Sequence, residues 1–489
     1  LMENREYKIL FILYVILISL SAYNYMSRGE YMVGNIDKFY YSGLSQSLYE
    51  EGEIKNLSQY PHKKVTSNQN GVVYLMAIFR NVENDYRVAA YLTSLLSLLL
   101  LITAIYPIYY LLDRFKVSTP LKYFAVLYIA LSPLYFQFVA IGMNEGVFFP
   151  LVCWLAYYIV LYTDTPKYFN KYLAAVVLLS FLAVLFRIQT LFVLSSLALV
   201  LFLNQKWYKF VAASIVTLAT ATIYFSFSSF FTGQVAGRGE IGHASNIFAA
   251  NNDFMGNLND LLQIYTANLV YDDGSFKFFV FTALGVGVFL ALTVLLFKNK
   301  RKITSDISLQ FIIILVITSI IPVILTRQGS FQIRYIYYSF PFFSILIAIA
   351  LQGVSGKPKV AFGTLFLMPL LIFSILFFRK NIRGNVNDFG SNQNRIESLN
   401  TLHELNEKYN PDKIFMPKIK GERRLVIAAT GKPNYTISDS IGSNSLIISD
   451  RKFLNNFLDA KQNLDAKKVG HINFDGNKFF YDRDVFYIE

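Results

Sequence analysis

The 489-residue chain is short of the residues that most soluble proteins rely on. It has one cysteine, two tryptophans and four histidines. A single cysteine excludes an intramolecular disulfide and a cysteine-based zinc site. Cys153 lies in an apolar run, which predicts a small buried hydrophobe. Charged residues make up 16%, where a soluble domain has about 25%. With 54% hydrophobic residues, that shortage excludes a disordered chain and an ordinary cytosolic enzyme. The sequence has no repeat of fixed period, and no inverted pair of broken helices such as a secondary transporter would show. The histidines and acids fall at no metal-ligand spacing.

What is present is apolar and aromatic. There are 45 Phe and 34 Tyr, and mean hydropathy is +0.40. A spanning helix needs ~20 mostly apolar residues. Eleven runs qualify, at about 8–24, 88–112, 120–141, 146–163, 171–186, 188–204, 207–227, 275–297, 307–326, 331–352 and 358–378. The first lacks a small-residue cleavage site and is expected to be retained. The pair at 171–204 is interrupted by Arg187.

The net charge of +13 is expected from lysines and arginines kept in cytoplasmic loops, not from a nucleic-acid partner. Threading eleven spans places five basic loops on one side with Arg5 and Lys8. They hold Arg114 and Lys116, Lys167 and Lys171, Lys206 and Lys209, Lys298 to Lys302, and Lys357 and Lys359. That side is expected to be cytoplasmic. The fold class is therefore a polytopic α-helical membrane protein of about eleven transmembrane helices. Residues 1–379 form the membrane module, with outer loops at about 25–87 and 228–274. Residues 380–489 form a small extracytoplasmic α/β domain, by default a lid or docking unit. The expected location is the plasma or inner membrane.

In the tail, Ile396, Leu399, Leu402 and Leu405 have helical spacing. KIFMP, NYTISD and SLIISD read as strands. GERRLVIAATG reads as a helix closed by Gly431, and RKFLNNFLDA as another. Asp475-Gly476 between alternating apolar residues predicts a hairpin.

The first outer loop opens with GNIDKFYYSGLSQSLYEEGE. Asp37, Tyr41, Leu44 and Leu48 recur at i, i+4, i+7 and i+11, which puts them on one helix face. Solvation alone does not place a carboxylate at the head of an apolar stripe. A second acid, Glu145 in GMNEGVFFP, meets the same membrane face from another loop. Arg187, Arg327 and Arg334 fall against the usual charge bias of the outer side. Arginines beside carboxylates suit a phosphate or pyrophosphate held at the outer leaflet. RYIYYSFP reads first as an interfacial aromatic belt and second as a sugar platform. His62, beside Lys63 and Lys64, reads as a solvated loop face. His403 and His471 carry no functional signal.

This arrangement resembles the GT-C superfamily of membrane glycosyltransferases, in particular the branch of protein O-mannosyltransferases and lipid A aminoarabinose transferase. The resemblance spans the chain in outline. Asp37, Tyr40, Tyr41 and Gly52 hold the places of the family's post-first-span acid, aromatics and glycine. NQNGVVYLMAIF, with Tyr74, occupies the stretch at the second span, without the family's prolines. Glu145 matches an acid after the third span, and Arg334-Tyr335 an Arg-Tyr near a late span. Lys38 stands where the family often has a second acid.

The resemblance implies inverting transfer of a sugar from a polyprenyl-phosphate donor to a protein, lipid or glycan hydroxyl. Asp37 would be the general base. Glu145 would orient the acceptor or help hold a divalent cation. Arg187, Arg327, Arg334 and Lys38 would hold the donor phosphate. Tyr40, Tyr41, Tyr74, Tyr335, Arg238 and His243 would touch substrate. Two other classes stand beside this one: a lipid or glycan transporter or flippase, and a non-catalytic membrane subunit with an outer docking domain.

Overall fold

The computed structural model describes residues 5–27, 29, 36–57, 63–64, 70–132, 142–232, 254–267, 276–298, 300–324, 336–352, 375, 386–416, 420–432, 434–436, 441, 443–449, 466–473 and 482–488. The body is helical. In chain order it comprises α1 (Arg5–Ser27), α2 (Ile36–Glu51), the short ladder β1 (Lys55–Asn56) and β2 (Lys63–Lys64), and α3 (Gly71–Arg80). Then follow α4 (Tyr86–Thr103), α5 (Ile105–Arg114), α6 (Thr119–Ala130), α7 (Asn144–Asp164), α8 (Lys171–Phe186), α9 (Thr190–Leu203) and α10 (Trp207–Thr232). The body closes with α11 (Phe254–Ala267), α12 (Phe276–Lys298), α13 (Lys300–Ser305), α14 (Ile307–Ile324) and α15 (Phe340–Gln352).

Each apolar run from 8–24 to 331–352 falls at least in part on a described helix; residues 133–141, 325–326 and 331–335 of these runs, and the run at 358–378 apart from Ile375, lie outside the described residues. Among the described residues, four stretches are long and apolar enough to cross a membrane: Arg5–Tyr23, Tyr86–Arg114, Asn144–Asp164 and Trp207–Phe227. The run at 88–112 is two helices, not one. They meet at Ala104, and Pro107 then has no N–H to give the carbonyl of Thr103. Most of α7 is buried, with Cys153 wholly inside as expected.

One end of the bundle gathers the basic turns. Arg114 donates to Asp164 at 2.7 and 3.0 Å, and to Asp306 at 3.3 Å. Lys122 lies 2.8 Å from Asp113 and 3.6 Å from Glu6. Lys209 donates to the carbonyl of Tyr162 at 2.8 Å. Gln352 accepts from the Ser118 N–H at 3.1 Å. The start of α1, the ends of α5, α7 and α15, and the starts of α6, α10 and α14 therefore share one level. The loop with Lys357 and Lys359 lies outside the described residues. Helix α7 has 21 residues, so its first turn stands about 30 Å away from this end.

The tail holds α16 (Val386–Tyr409), α17 (Lys420–Thr430) and a sheet of β3 (Lys413–Met416), β4 (Asn434–Thr436), β5 (Ser445–Ser449), β6 (Ala466–Asn473) and β7 (Asp482–Ile488). The strand order is β4-β3-β5-β7-β6. β3 runs parallel to β4 and β5, while β7 is antiparallel to β5 and β6. The hairpin closes at Asn473 opposite Asp482; Asp475-Gly476 and the helix expected at 451–460 lie outside the described residues. Gly431 ends α17 with φ +69°, a left-handed position that glycine adopts without strain.

The tail rests on α2. A Cβ at Gly43 would lie 3.1 Å from Cγ2 of Ile427, so α2 and α17 approach closely there. Gly431 faces the Gln46 side chain. The Asn434 N–H donates to the Leu57 carbonyl at 3.4 Å, and Arg87 reaches Asn400 at 3.3 Å.

Candidate functional site

The site assembles at the end of the bundle away from the basic turns. Helix α2 forms over the predicted stretch, and its apolar stripe packs as the spacing requires. Leu44 is buried with Ile54 and Val73, and Tyr40, Tyr41, Leu48 and Tyr74 lie against them. Asp37 occupies the first turn of α2, one turn before Tyr41. The side chains of Asp37 and Lys38 lie outside the described residues.

Asn144, the first residue of α7, ties three helices together. Its Oδ1 accepts from the Val72 N–H at 2.9 Å. That satisfies one of the donors that the first turn of α3 leaves without an intrahelical partner. Its Nδ2 lies 3.5 Å from the Tyr41 hydroxyl. The turn that carries Asp37 is thereby registered against α3 and α7.

The next residue, Glu145, is 0% exposed and forms an ion pair with Arg187, which is 3% exposed. Arg187 occupies a break. Helix α8 ends at Phe186, Arg187 is extended at φ −153° and ψ 128°, and α9 starts at Thr190. Helices of 16 and 14 residues reach only about 24 and 21 Å, short of the ~30 Å hydrocarbon core. The turn at Arg187 therefore falls short of a full crossing, and a charge buried there needs a partner. The helix dipole also favours Glu145, which sits in the first turn of α7. Read separately in the sequence, Glu145 and Arg187 are one buried pair in the structure.

Phe186 holds this break against α3. A Cβ on Gly71 would lie 2.7 and 2.8 Å from Cγ and Cε1 of its ring. Gly71→Ala is expected to destabilise the protein by about 1–3 kcal/mol through overpacking, measurable as a lower melting temperature in detergent. An unchanged melting temperature would show that the ring yields freely.

Besides Asn144, two features were missed in the sequence. Arg80 is buried, and its donors go to neutral oxygens: Ser45 Oγ at 3.2 Å, Ser42 Oγ at 3.1 Å, the Ser42 carbonyl at 3.4 Å and Asn84 Oδ1 at 3.2 Å. It clamps the middle of α2 to the end of α3. Burial pushes its guanidinium down to about 10, which leaves it charged at neutral pH. Tyr337 is the second. It is buried, and its ring centroid is 5.9 Å from that of Phe149. With Tyr338 also buried, this part of RYIYYSFP is core and not an interfacial belt.

Tyr74 lies on α3 with its ring 6.2 Å from that of Phe227. Burial pushes its hydroxyl up to about 12, against a hydrogen bond with Asn70. Arg327, Arg334, Tyr335, Arg238, His243 and His62 lie outside the described residues. Among the described residues no group of three His, Cys, Asp or Glu could hold a metal ion. His403 and His471 face neighbours within the tail: Glu407 at 3.2 Å and Asp484 at 2.9 Å.

No protein-family model matches the chain, and no curated protein sequence matches it. Solved structures do. The crystal structure of ArnT from Cupriavidus metallidurans bound to undecaprenyl phosphate superposes with a TM-score of 0.61 at 11% identity, over 96% of this chain and 97% of that one. The chain has the ArnT fold. An oligosaccharyltransferase from Archaeoglobus fulgidus, tethered to an acceptor peptide with an NVT sequon, superposes with a TM-score of 0.51 at 12% identity. It is covered over 90% of this chain and 69% of that one. Archaeal AglB from the same organism, in complex with an inhibitory peptide and a dolichol-phosphate, gives a TM-score of 0.50 at 13% identity, over 88% of this chain and 65% of that one. The GT-C resemblance read from the sequence is thus borne out at the level of fold. The match to ArnT takes in the tail as well as the helical body, since it spans both chains almost entirely.

Proposed function

We propose that the chain is an integral-membrane glycosyltransferase that moves a sugar from a polyprenyl-phosphate donor to an extracytoplasmic hydroxyl, with inversion. The observation that carries this reading is the near full-length ArnT fold with an acid-bearing turn, Asp37, registered through Tyr41 and Asn144 beside the Glu145–Arg187 pair. The ArnT structure holds undecaprenyl phosphate and the AglB structure dolichol-phosphate; a lipid phosphate is the leaving group this reading requires.

In the proposed step, the Asp37 carboxylate takes the proton of the acceptor hydroxyl as its oxygen attacks C1 of the sugar. The bond from C1 to the phosphate oxygen breaks, and the lipid phosphate leaves with the electron pair. Arg327 and Arg334 would balance the charge it gains, with Lys38. Arg187 belongs to the same set, but Glu145 already balances its charge, so its part is to hold the α8–α9 break in place. The basic end faces the cytoplasm in this reading, which puts the tail, residues 380–489, outside with the site.

The test is turnover by the purified protein with a polyprenyl-phosphate sugar and an acceptor. Acceptor-dependent release of free polyprenyl phosphate is expected. Movement of intact donor between leaflets without release would instead identify a flippase.

A further inference from the structure

At the basic end, a trough of about 410 Å³ lies between helices α8 and α10. Its walls are Leu173, Ala174 and Val177 on one side, and Ala212, Ile215 and Val216 on the other. The two alanines create the space. The volume lies in the ~300–1,000 Å³ range of small-molecule pockets, but the lining is almost wholly apolar. Only its end is polar, where Asn170 caps α8 by accepting from the N–H groups of Tyr172 and Leu173 at 2.9 and 3.0 Å.

The surroundings of that end are basic and aromatic. Lys167, Lys171 and Lys206 are exposed there, on the turn before α8, on its first residue and on the turn before α10. Tyr168, on the first of these turns, and Tyr208, at the start of α10, have ring centroids 4.9 Å apart. Phe169, Trp207 and Tyr208 are exposed beside them, the placement of residues at a membrane–water boundary. The acid on these segments, Asp164, is held bidentately by Arg114. Lys209 is turned inward onto the carbonyls of Tyr162 and Thr163. The three exposed lysines therefore present a positive charge that these neighbours do not cancel.

We propose that this trough binds one acyl chain of an anionic phospholipid, with the lipid phosphate on Lys167, Lys171 and Lys206. An apolar slot that ends in lysines and a helix N-terminus is complementary to that one class of molecule. The inference rests on the membrane placement of α8 and α10 and not on the transfer chemistry. Its failure would leave the glycosyltransferase reading untouched.

The test uses the full chain in detergent, with phosphatidylglycerol and phosphatidylcholine of identical chains, and counts retained lipid by native mass spectrometry. One lysine near an anionic lipid is worth about fivefold in affinity. Phosphatidylglycerol should thus be retained at least tenfold better than phosphatidylcholine. The Lys167→Gln/Lys171→Gln/Lys206→Gln variant should lose that preference. These three side chains are on the surface, so the fold should survive, as a melting curve will verify. Ala212→Phe, which fills the trough, should reduce retention of phosphatidylglycerol with all three lysines present. Equal retention of the two lipids would overturn the proposal. So would a preference that survives the triple change, or an Ala212→Phe protein that retains lipid as well as the parent.

Discussion

Asp37→Asn should reduce sugar transfer by about 10²–10⁴-fold, the contribution of a positioned base. The change keeps the size and shape of the side chain and removes only its ability to take a proton. Asp37 is in the first turn of α2, and the packing of that helix is carried by Leu44 with Ile54 and Val73, and by the Arg80 clamp. None of these contacts depends on the charge of Asp37. The melting temperature is therefore expected to stay within about two degrees while turnover falls. The assay is release of free polyprenyl phosphate, read beside a thermal melt of the same sample. A variant that turns over normally would remove Asp37 from the mechanism. One that is inactive and also unfolded would show that the residue holds the helix start.

Glu145→Gln should have the larger effect on stability. It takes the carboxylate from a buried guanidinium at the α8–α9 break. Breaking a buried pair on one side typically costs about 3–5 kcal/mol, because the remaining charge stays desolvated. Arg187→Met alone should cost a similar amount for the mirrored reason. The double variant Glu145→Gln/Arg187→Met should recover most of the loss, since a buried pair can often be replaced by apolar groups of similar volume. Melting temperatures of the four proteins in one detergent give the cycle. Additive losses would show that the two residues do not act as a pair. Activity of the double variant then separates the roles: a stable but inactive protein would give the pair a part in the chemistry, and a stable, active one would leave it as a brace.

The parts of the fold that were legible in the sequence are those written in local patterns. The stripe from Asp37 to Leu48 gave α2, because its packing against α3 uses one helix face. Arg187 in an apolar stretch gave the break between α8 and α9, because it interrupts the apolar run that the two helices share. The short strands of the tail and the glycine at the end of α17 were visible for the same reason. The parts that were not legible depend on residues distant in the chain. Glu145 and Arg187 are far apart in sequence, and only the folding of α7 beside α8 brings them together. Asn144 gave no signal, since its role is to bridge Val72 and Tyr41. Arg80 gave no signal either, since its hydrogen bonds go to Ser42 and Ser45 on α2 and to Asn84. The tyrosines of RYIYYSFP resembled a belt because aromatic residues at a boundary and aromatic residues in a core have the same composition; α7 decides which they are. The split at Ala104 was written in Pro107, but hydropathy outweighs a single imino acid in a long apolar run.

The seat of α17 on α2 has one more consequence. The contact works because position 43 lacks a side chain, so the surface of Ile427 meets bare backbone. Tail and loop are thus matched in shape, residue against residue. An exchange of C-terminal units between two proteins of this architecture would import a foreign contour onto α2. Hybrids should assemble only when the first loop travels with its own tail, which makes the pair, and not either part, the unit that recombination can shuffle.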